Sequence, residues 1–186
     1  MSIYTKRGDH GKTGFYKSKR RVYKDNQRIT VLGSIDELNA QLGLAKSLIR
    51  DTDTDTDQVV KILNTVQQDL FEIAAEIASE NPKHSPFHCK PEKVKRLETL
   101  IDKLEKELPQ LSNFIFPGGC PRGAGLHVAR SVCRRTEREA VRFARSQKVN
   151  PEIFKYLNRL SDALFVLARW VNKIDGIPEE EWNKSK

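Results

Sequence analysis

Apolar residues recur every three or four positions through five long segments of this 186-residue chain, and no other feature constrains the fold as strongly. This spacing places the apolar side chains of a segment on one face of an α-helix. The last segment is the clearest example, with Leu157, Leu160, Leu164 and Leu167 at its centre. The pattern predicts helices over about 34–50, 57–79, 91–108, 123–147 and 151–174.

Signals at the helix ends agree with these segments. Ser34 followed by Glu37 has the spacing of a capping box, and Pro91 stands at the first turn of the third segment. Asn150 before Pro151 is typical of a helix start. Because the fifth segment also carries apolar residues on its other faces, we expect it to be central or buried between subunits as well. Short connections then predict an all-α fold, an up-and-down five-helix bundle.

The whole chain, residues 1–186, is predicted to form one domain, since its length suits a single core. Residues 1–30 are polar and contain glycine without sustained periodicity, which predicts an ordered loop region that could include short extended pieces. The helical bundle covers 34–174 and a C-terminal tail covers 175–186. No convincing strand alternation is present, and the sequence 120–125 leaves the start of the fourth helix open.

Composition narrows the class of protein. The chain has no apolar run of about 18 residues, and its basic N-terminal residues Lys6 and Arg7 precede Gly8 and Asp9 rather than a signal-peptide core. Its three cysteines lack metal-type spacing, and an odd number fits poorly with a disulfide framework. We therefore expect a soluble, cytoplasmic protein that does not contact a membrane.

Two segments carry the excess positive charge of a chain whose net charge is +8. Residues 1–30 hold nine Lys/Arg and two acids, and residues 120–150 hold eight Lys/Arg and two acids. Segments of like charge repel unless they share an anion, so we expect the two to converge on one. General basicity, for nucleic acid or for solubility, is the alternative.

The second basic segment contains a row of arginines. Arg130, Arg134 and Arg138 are spaced i, i+4 and i+8, so they share one helix face, and Glu137 is the one acid within this stretch. Guanidinium groups bind phosphates in a bidentate manner. The row therefore indicates a site for a polyanion such as a triphosphate.

The first basic segment includes the glycine-rich sequence YTKRGDHGKTGF at residues 4–15. Glycines let backbone N–H groups turn toward a phosphate. A Walker A motif is excluded, because that motif needs a glycine where Lys6 stands and a strand in front. A flexible basic N-terminus is the alternative to a phosphate loop.

Polar residues on the first and fifth helices are further candidates. Asp36 could pair with an arginine of the fourth helix. Alternatively, it is a solvated acid near a helix N-terminus, where its charge interacts favourably with the helix dipole. Asn158 and Asp162 share a face of a very apolar helix, where they bind either a ligand or neighbouring helices.

Taken together, five sequence blocks resemble the PduO-type ATP:cob(I)alamin (corrinoid) adenosyltransferase family. The blocks are TKRGDHGKTG at 5–14, GSIDELN at 33–39, FIFPGG at 114–119, LHVARSVCRRTER at 126–138 and YLNRLSD at 156–162. The resemblance implies a homotrimer with inter-subunit active sites. It also implies transfer of the 5′-deoxyadenosyl group of ATP to the cobalt of cob(I)alamin or a related corrinoid, with release of inorganic triphosphate.

In this family cobalt is the nucleophile, so the resemblance implies no protein nucleophile. It implies Mg²⁺ bound through the ATP phosphates, without a dedicated protein metal site, and cobalamin as a substrate. A cob(II)alamin reductase and an adenosylcobalamin-dependent enzyme are the protein partners that it suggests, with no nucleic acid. Two alternatives stay open at this point. One is a protein that carries ATP or a cobalamin without turnover, and the other is a helical nucleic-acid-binding protein.

The resemblance also assigns site residues. The implied ATP-binding residues are Thr5, Lys6, Arg7, Gly8, Gly11, Thr13, Gly14, Lys24, Arg134, Arg135, Thr136, Glu137, Arg138 and Asn158. The residues implied for catalysis are Arg130, Asp36, Arg134 and Phe114. Asp36 and Arg130 are expected to form a salt bridge across the subunit interface. Phe114 is expected under the corrin ring, where it displaces the lower axial ligand. Phe165 is a candidate for the wall of the same pocket, with ordinary core packing as its alternative.

Overall fold

Within the described residues, a computed structural model of the protein contains five α-helices preceded by a small two-stranded sheet. The structure describes residues 3–15, 20–49, 54–79 and 85–182. The strands are β1 (Lys12–Gly14) and β2 (Arg21–Tyr23), and the helices are α1 (Gln27–Ser47), α2 (Thr54–Ala78), α3 (Pro91–Glu105), α4 (Pro121–Ala144) and α5 (Pro151–Ile174). The predicted end of the first helix at residue 50, the first two residues of the N-terminal region, its residues 16–19 and the last four of the tail lie outside the described ranges.

Helices that follow one another in the sequence run in alternating directions, which confirms the predicted up-and-down bundle. The Gln67 side chain of α2 donates to the Asn39 carbonyl of α1, and Gln27 of α1 donates to Glu139 of α4. At the opposite end of the α1–α4 pair, Gly125 packs against Ala45. α5 packs against both α3 and α4. Most of its residues are buried, so its predicted central position is confirmed.

The bounds of α5 agree with the prediction, but α1 begins seven residues earlier than predicted, at Gln27. The Asn26 side chain accepts a hydrogen bond from the Arg28 N–H at 3.0 Å and caps the helix. Ser34 lies inside the helix, where its hydroxyl donates to the Thr30 carbonyl at 3.0 Å. The interpretation of Ser34 as a capping residue is therefore wrong.

The start of α4, which the sequence left open, is Pro121. The Cys120 thiol caps this helix by accepting from the Gly123 N–H. Proline suits the first turn because its missing N–H would have had no partner within the helix.

The N-terminal region contains a β-hairpin, whose two short strands agree with the short extended pieces that the sequence allowed there. Lys12 lies opposite Tyr23, Thr13 opposite Val22, and Gly14 opposite Arg21. Strands of three residues are too short to show a period of two in the sequence.

The C-terminal tail pairs with the loop between α3 and α4. The Phe116 N–H donates to the Glu180 carbonyl at 2.8 Å, and the Trp182 N–H donates to the Phe114 carbonyl at 2.7 Å. The buried Arg169 of α5 donates to Glu179 and thereby anchors the tail. Within the described residues, none of the helices has the length and apolar character needed to cross a membrane.

Candidate functional site

A groove of about 500 Å³ lies along α4 and the start of α5 and is rich in arginine. The residues that line this arginine groove are Arg134, Glu137, Arg138, Val141, Arg142, Arg145 and Asn158. Asn158 donates to Glu137 at 3.2 Å. Among the described residues, neither Arg134 nor Arg138 has a hydrogen-bond or ion-pair partner, so their guanidinium groups are available to an anion.

Two residues that the resemblance places with ATP point elsewhere. Arg135 forms an ion pair with Glu37 of α1. Thr136 is fully buried, and its hydroxyl donates to the Ser34 and Val132 carbonyls at 3.0 Å. In this chain, both side chains therefore contribute to the contact between α1 and α4 rather than to the groove.

The glycine-rich N-terminal loop is an ordered turn that leads into the hairpin. Lys6 and Gly11 have positive φ values of 58° and 70°. The Gly11 N–H donates to the Gly8 carbonyl at 3.2 Å, and the Gly11 carbonyl accepts from the Lys24 N–H at 2.9 Å. A Cβ atom on Gly8 would lie 3.4 Å from Lys24 Nζ. The structure thus brings Lys24 to the loop, as the predicted ATP site requires.

The loop and the groove are not joined within one chain. In the part of the chain that the structure describes, no hydrogen bond or ion pair links residues 5–14 to Arg134 or Arg138. The hairpin instead lies near the end of α4, where Phe15 and Val22 share a cavity with Phe143. Among the described residues of a single chain, the glycine-rich loop and the arginine row therefore do not meet.

A second cavity, of about 830 Å³, is apolar and lies beside the loop between α3 and α4. The residues that line this apolar cavity are Leu111, Ser112, Asn113, Phe114, Ile115, Pro117, Arg130, Phe165 and Trp182. Phe114 is 79% exposed and meets the Trp182 ring edge-on, with ring centroids 6.4 Å apart. The structure brings Phe114 and Phe165 together as the resemblance implies, and it adds Trp182, which no sequence pattern indicated.

Arg130 lies at the edge of this cavity with an unsatisfied buried atom. Its guanidinium lies 5.8 Å from the Phe165 ring centroid. The Nε atom is buried and has no hydrogen-bond partner among the described residues. Burial and, secondarily, the nearby Arg134 lower the pKa of Arg130. Asp36 is exposed on α1 and forms no ion pair with Arg130 in the same chain.

His127 is buried one turn before Arg130, and its ring centroid is 5.9 Å from that of Phe165. Burial, followed by the positive charge of Arg130, lowers the pKa of His127 to about 4. The imidazole is therefore neutral at neutral pH.

The three cysteines are free and buried. Burial raises the pKa of the Cys89 thiol to about 12 and raises the pKa values of Cys120 and Cys133. Thiols in this state are poor nucleophiles, because the thiolate is the reactive form. The site therefore offers anion binding and an apolar surface, with no activated cysteine.

Comparison with known proteins shows which proteins this chain is similar to. Residues 3–171 match the family model described as cobalamin adenosyltransferase. The corrinoid adenosyltransferase of Bacillus subtilis (strain 168) is 38% identical over 185 residues, which cover 100% of this chain and 94% of that protein. The corrinoid adenosyltransferase of Mycobacterium tuberculosis (strain ATCC 25618 / H37Rv) is 42% identical over 175 residues, covering 91% of this chain and 88% of that protein.

Solved structures of corrinoid adenosyltransferases are also similar to this chain. A variant of the PduO-type ATP:corrinoid adenosyltransferase from Lactobacillus reuteri, complexed with cobalamin and ATP, aligns with a TM-score of 0.89 at 33% identity. The alignment covers 98% of this chain and 100% of that chain. Another variant of the same enzyme, complexed with ATP, aligns with a TM-score of 0.88 at 32% identity and covers 97% of this chain and 100% of that chain. The chain belongs to the cobalamin adenosyltransferase family.

Proposed function

We propose that this chain transfers the 5′-deoxyadenosyl group of ATP to the cobalt of cob(I)alamin or a related corrinoid and releases inorganic triphosphate. The observation that carries the proposal is the position of Arg130 and Arg134 on α4. Arg130 lines the apolar cavity and Arg134 lines the arginine groove. Four residues of helix rise only about 6 Å, so a corrin in the cavity and a phosphate chain in the groove would lie side by side.

The chemistry needs positioning more than it needs a catalytic base. The cobalt(I) electron pair forms the Co–C5′ bond, while the C5′–O5′ bond breaks and its electron pair leaves with the triphosphate. Negative charge develops on the leaving oxygen, and the guanidinium groups of Arg134 and Arg138 would stabilise it. Because the nucleophile belongs to the substrate, no side chain of the protein has to attack C5′.

Phe114 would lie under the corrin ring and displace the lower axial ligand. Without that ligand, cob(II)alamin is easier to reduce, because the axial donor no longer raises the energy of the accepting orbital. The exposure of Phe114 within the cavity supports this role, since its ring is free to meet a ligand. Phe165 and Trp182 would supply the apolar walls.

A homotrimer would complete each site between two subunits. Arg130 has a buried Nε atom without a partner, while Asp36 is an exposed carboxylate without an ion pair among the described residues. A buried charge is costly unless it is paired. Pairing Asp36 of one subunit with Arg130 of the next would satisfy both groups. The N-terminal loop of one subunit would then reach the arginine groove of its neighbour.

Mg²⁺ would enter with ATP and bridge its phosphates. The described residues contain no group of three His, Cys, Asp or Glu side chains that could hold a metal ion. Among the described residues that line the groove, Glu137 is the only acid, and it lies beside the arginines that would bind the phosphates. A reductase for cob(II)alamin, an adenosylcobalamin-dependent enzyme and a cytoplasmic location stay predictions from the sequence.

The proposal is tested by mixing the protein with ATP, Mg²⁺ and chemically reduced cobalamin and following the optical spectrum. We expect the spectrum of adenosylcobalamin to appear only when both the protein and ATP are present. Binding of ATP and cobalamin without any adenosylcobalamin would instead favour a carrier without catalytic activity.

A further inference from the structure

Arg21, a residue that the resemblance does not assign, crosses the glycine-rich loop from strand β2. Its Nη2 atom donates to two backbone carbonyls, that of Arg7 at 2.5 Å and that of Lys12 at 2.7 Å. These carbonyls lie on either side of the turn that contains Gly8 and Gly11. One guanidinium nitrogen thus ties the two ends of the loop together.

Three more carbonyls of the loop are also occupied, whereas those of Asp9 and His10 have no partner among the described residues. The Lys6 carbonyl accepts from Asp9, the Gly8 carbonyl accepts from Gly11, and the Gly11 carbonyl accepts from Lys24. With the two bonds from Arg21, the loop presents few unpaired carbonyl oxygens that would repel a phosphate.

Several backbone N–H groups of the loop, by contrast, are unpaired. Among the described residues, the N–H groups of Arg7, Gly8 and His10 have no hydrogen-bond partner. Unpaired N–H groups near residues of positive φ form concave sites for anions. Lys6 and Gly11 have such φ values. The loop therefore has the polarity that a phosphate requires even before a ligand binds.

We infer that Arg21 is a positioning residue that pre-organises the N-terminal loop to bind the triphosphate of ATP through its N–H groups. The inference rests on the proposed function. Without Arg21, the Arg7 and Lys12 carbonyls lose their shared donor and the loop can open. Bound ATP would then have to order the loop, which weakens binding without removing any group that contacts the reacting atoms.

The test compares the wild type with Arg21→Met, which keeps the length of the side chain and removes its donors, and with Arg21→Lys. We expect Arg21→Met to raise KM for ATP on the order of tenfold, with kcat at saturating ATP within about twofold of wild type. Arg21→Lys should fall between the two, because an ammonium can donate but is shorter and less rigidly oriented. Lys61→Met, an exposed position on α2, is the matched control for lost charge and should not change KM.

Hydrogen exchange in the ATP-free protein separates positioning from direct contact. We expect the amides of residues 7–13 to exchange faster in Arg21→Met than in the wild type. A raised KM with unchanged exchange would mean that Arg21 contacts ATP itself, and an unchanged KM would mean that the loop does not need Arg21. Either result would overturn the inference. If the wild-type protein forms no adenosylcobalamin, the proposed function is refuted. The hydrogen-exchange comparison would then still show whether Arg21 orders the loop.

Discussion

Arg134 and Arg135 are adjacent in the sequence, yet their side chains have different surroundings. Arg134 lines the arginine groove, whereas Arg135 pairs with Glu37 of α1. The side chains of successive helical residues point about 100° apart, so consecutive basic residues do not lie on one surface of the helix. The sequence motif marks the right helix, and the helix geometry decides which guanidinium groups can meet a phosphate.

The two arginines should therefore respond differently to truncation. We expect Arg134→Ala to lower kcat/KM on the order of 10²–10³-fold, because it removes a charge beside the leaving triphosphate. Arg135→Ala should retain at least tenfold more activity than Arg134→Ala, since it breaks an exposed ion pair of small energetic weight. Steady-state rates of adenosylcobalamin formation measure both. Equal losses would show that the two side chains share the phosphate site.

His127 should make the folded protein sensitive to acid. Its pKa in the folded protein is about 4, below the ordinary value of 6.5. Between these values the unfolded chain binds a proton that the folded protein does not, so stability is lost as the pH falls from 6.5 towards 4. The contribution amounts to about 3 kcal/mol.

Unfolding free energies at pH 7.5 and pH 4, at one protein concentration, test this prediction. Carboxylates titrate in the same range, so the wild type is compared with His127→Gln, which carries no charge at either pH. The wild type should lose about 3 kcal/mol more than the variant over this interval. Parallel losses in the two proteins would contradict a buried, neutral His127.

At the scale of secondary-structure elements, the contact between α1 and α4 holds the groove in place. Thr136 is central to this contact, since its buried hydroxyl donates to the Ser34 carbonyl. We expect Thr136→Val, which keeps the shape of the side chain, to lower the unfolding free energy by about 1 kcal/mol. KM for ATP should stay within about twofold of wild type. A large rise in KM for ATP at unchanged stability would instead show that Thr136 contributes to the nucleotide site.

The helices were predictable where packing and local signals coincide. In α5, a cap at Asn150, a proline at the first turn and a continuous apolar face all indicate the same helix. In α1, the apolar face also includes Val31, but the pair Ser34 and Glu37 imitates a helix start in the middle of the element. Local signals identify helices well and their ends poorly when a similar signal lies inside the helix.

The parts that escaped prediction depend on contacts between distant segments. The β-hairpin needs residues 12–14 and 21–23 to pair, and the position of Arg21 follows from that pairing. Trp182 reaches the apolar cavity because the tail pairs with the loop around Phe114. Neither contact has a periodic signature, so neither could be read from the sequence, whereas Arg134, Glu137 and Asn158 share predictable helix faces.

At the scale of the whole molecule, the site as proposed needs two subunits. Asp36→Ala and Arg130→Ala should each be nearly inactive alone, because each removes one partner of the pair proposed across the interface. Mixed trimers of the two variants should recover up to roughly a quarter of the wild-type rate, since some interfaces unite an intact Asp36 with an intact Arg130.

The matched control mixes Arg130→Ala with Arg134→Ala. These residues lie on the same helix and therefore on the same side of any interface, so no interface would contain both intact. This mixture should stay inactive. Recovery of activity in this control mixture would contradict the pairing of Asp36 and Arg130 between subunits. So would the lack of any recovery in the mixture of Asp36→Ala with Arg130→Ala.

The central claim is that the bond between C5′ and the triphosphate oxygen breaks as cobalt takes the carbon. Its most direct measurement uses ATP labelled with ¹³C at C5′, together with Mg²⁺ and reduced cobalamin, and follows ¹³C and ³¹P by NMR. We predict that the labelled carbon appears bonded to cobalt and that intact triphosphate appears in equal amount. Labelled carbon that stays in ATP or AMP, or diphosphate and phosphate formed in place of triphosphate, would contradict the claim.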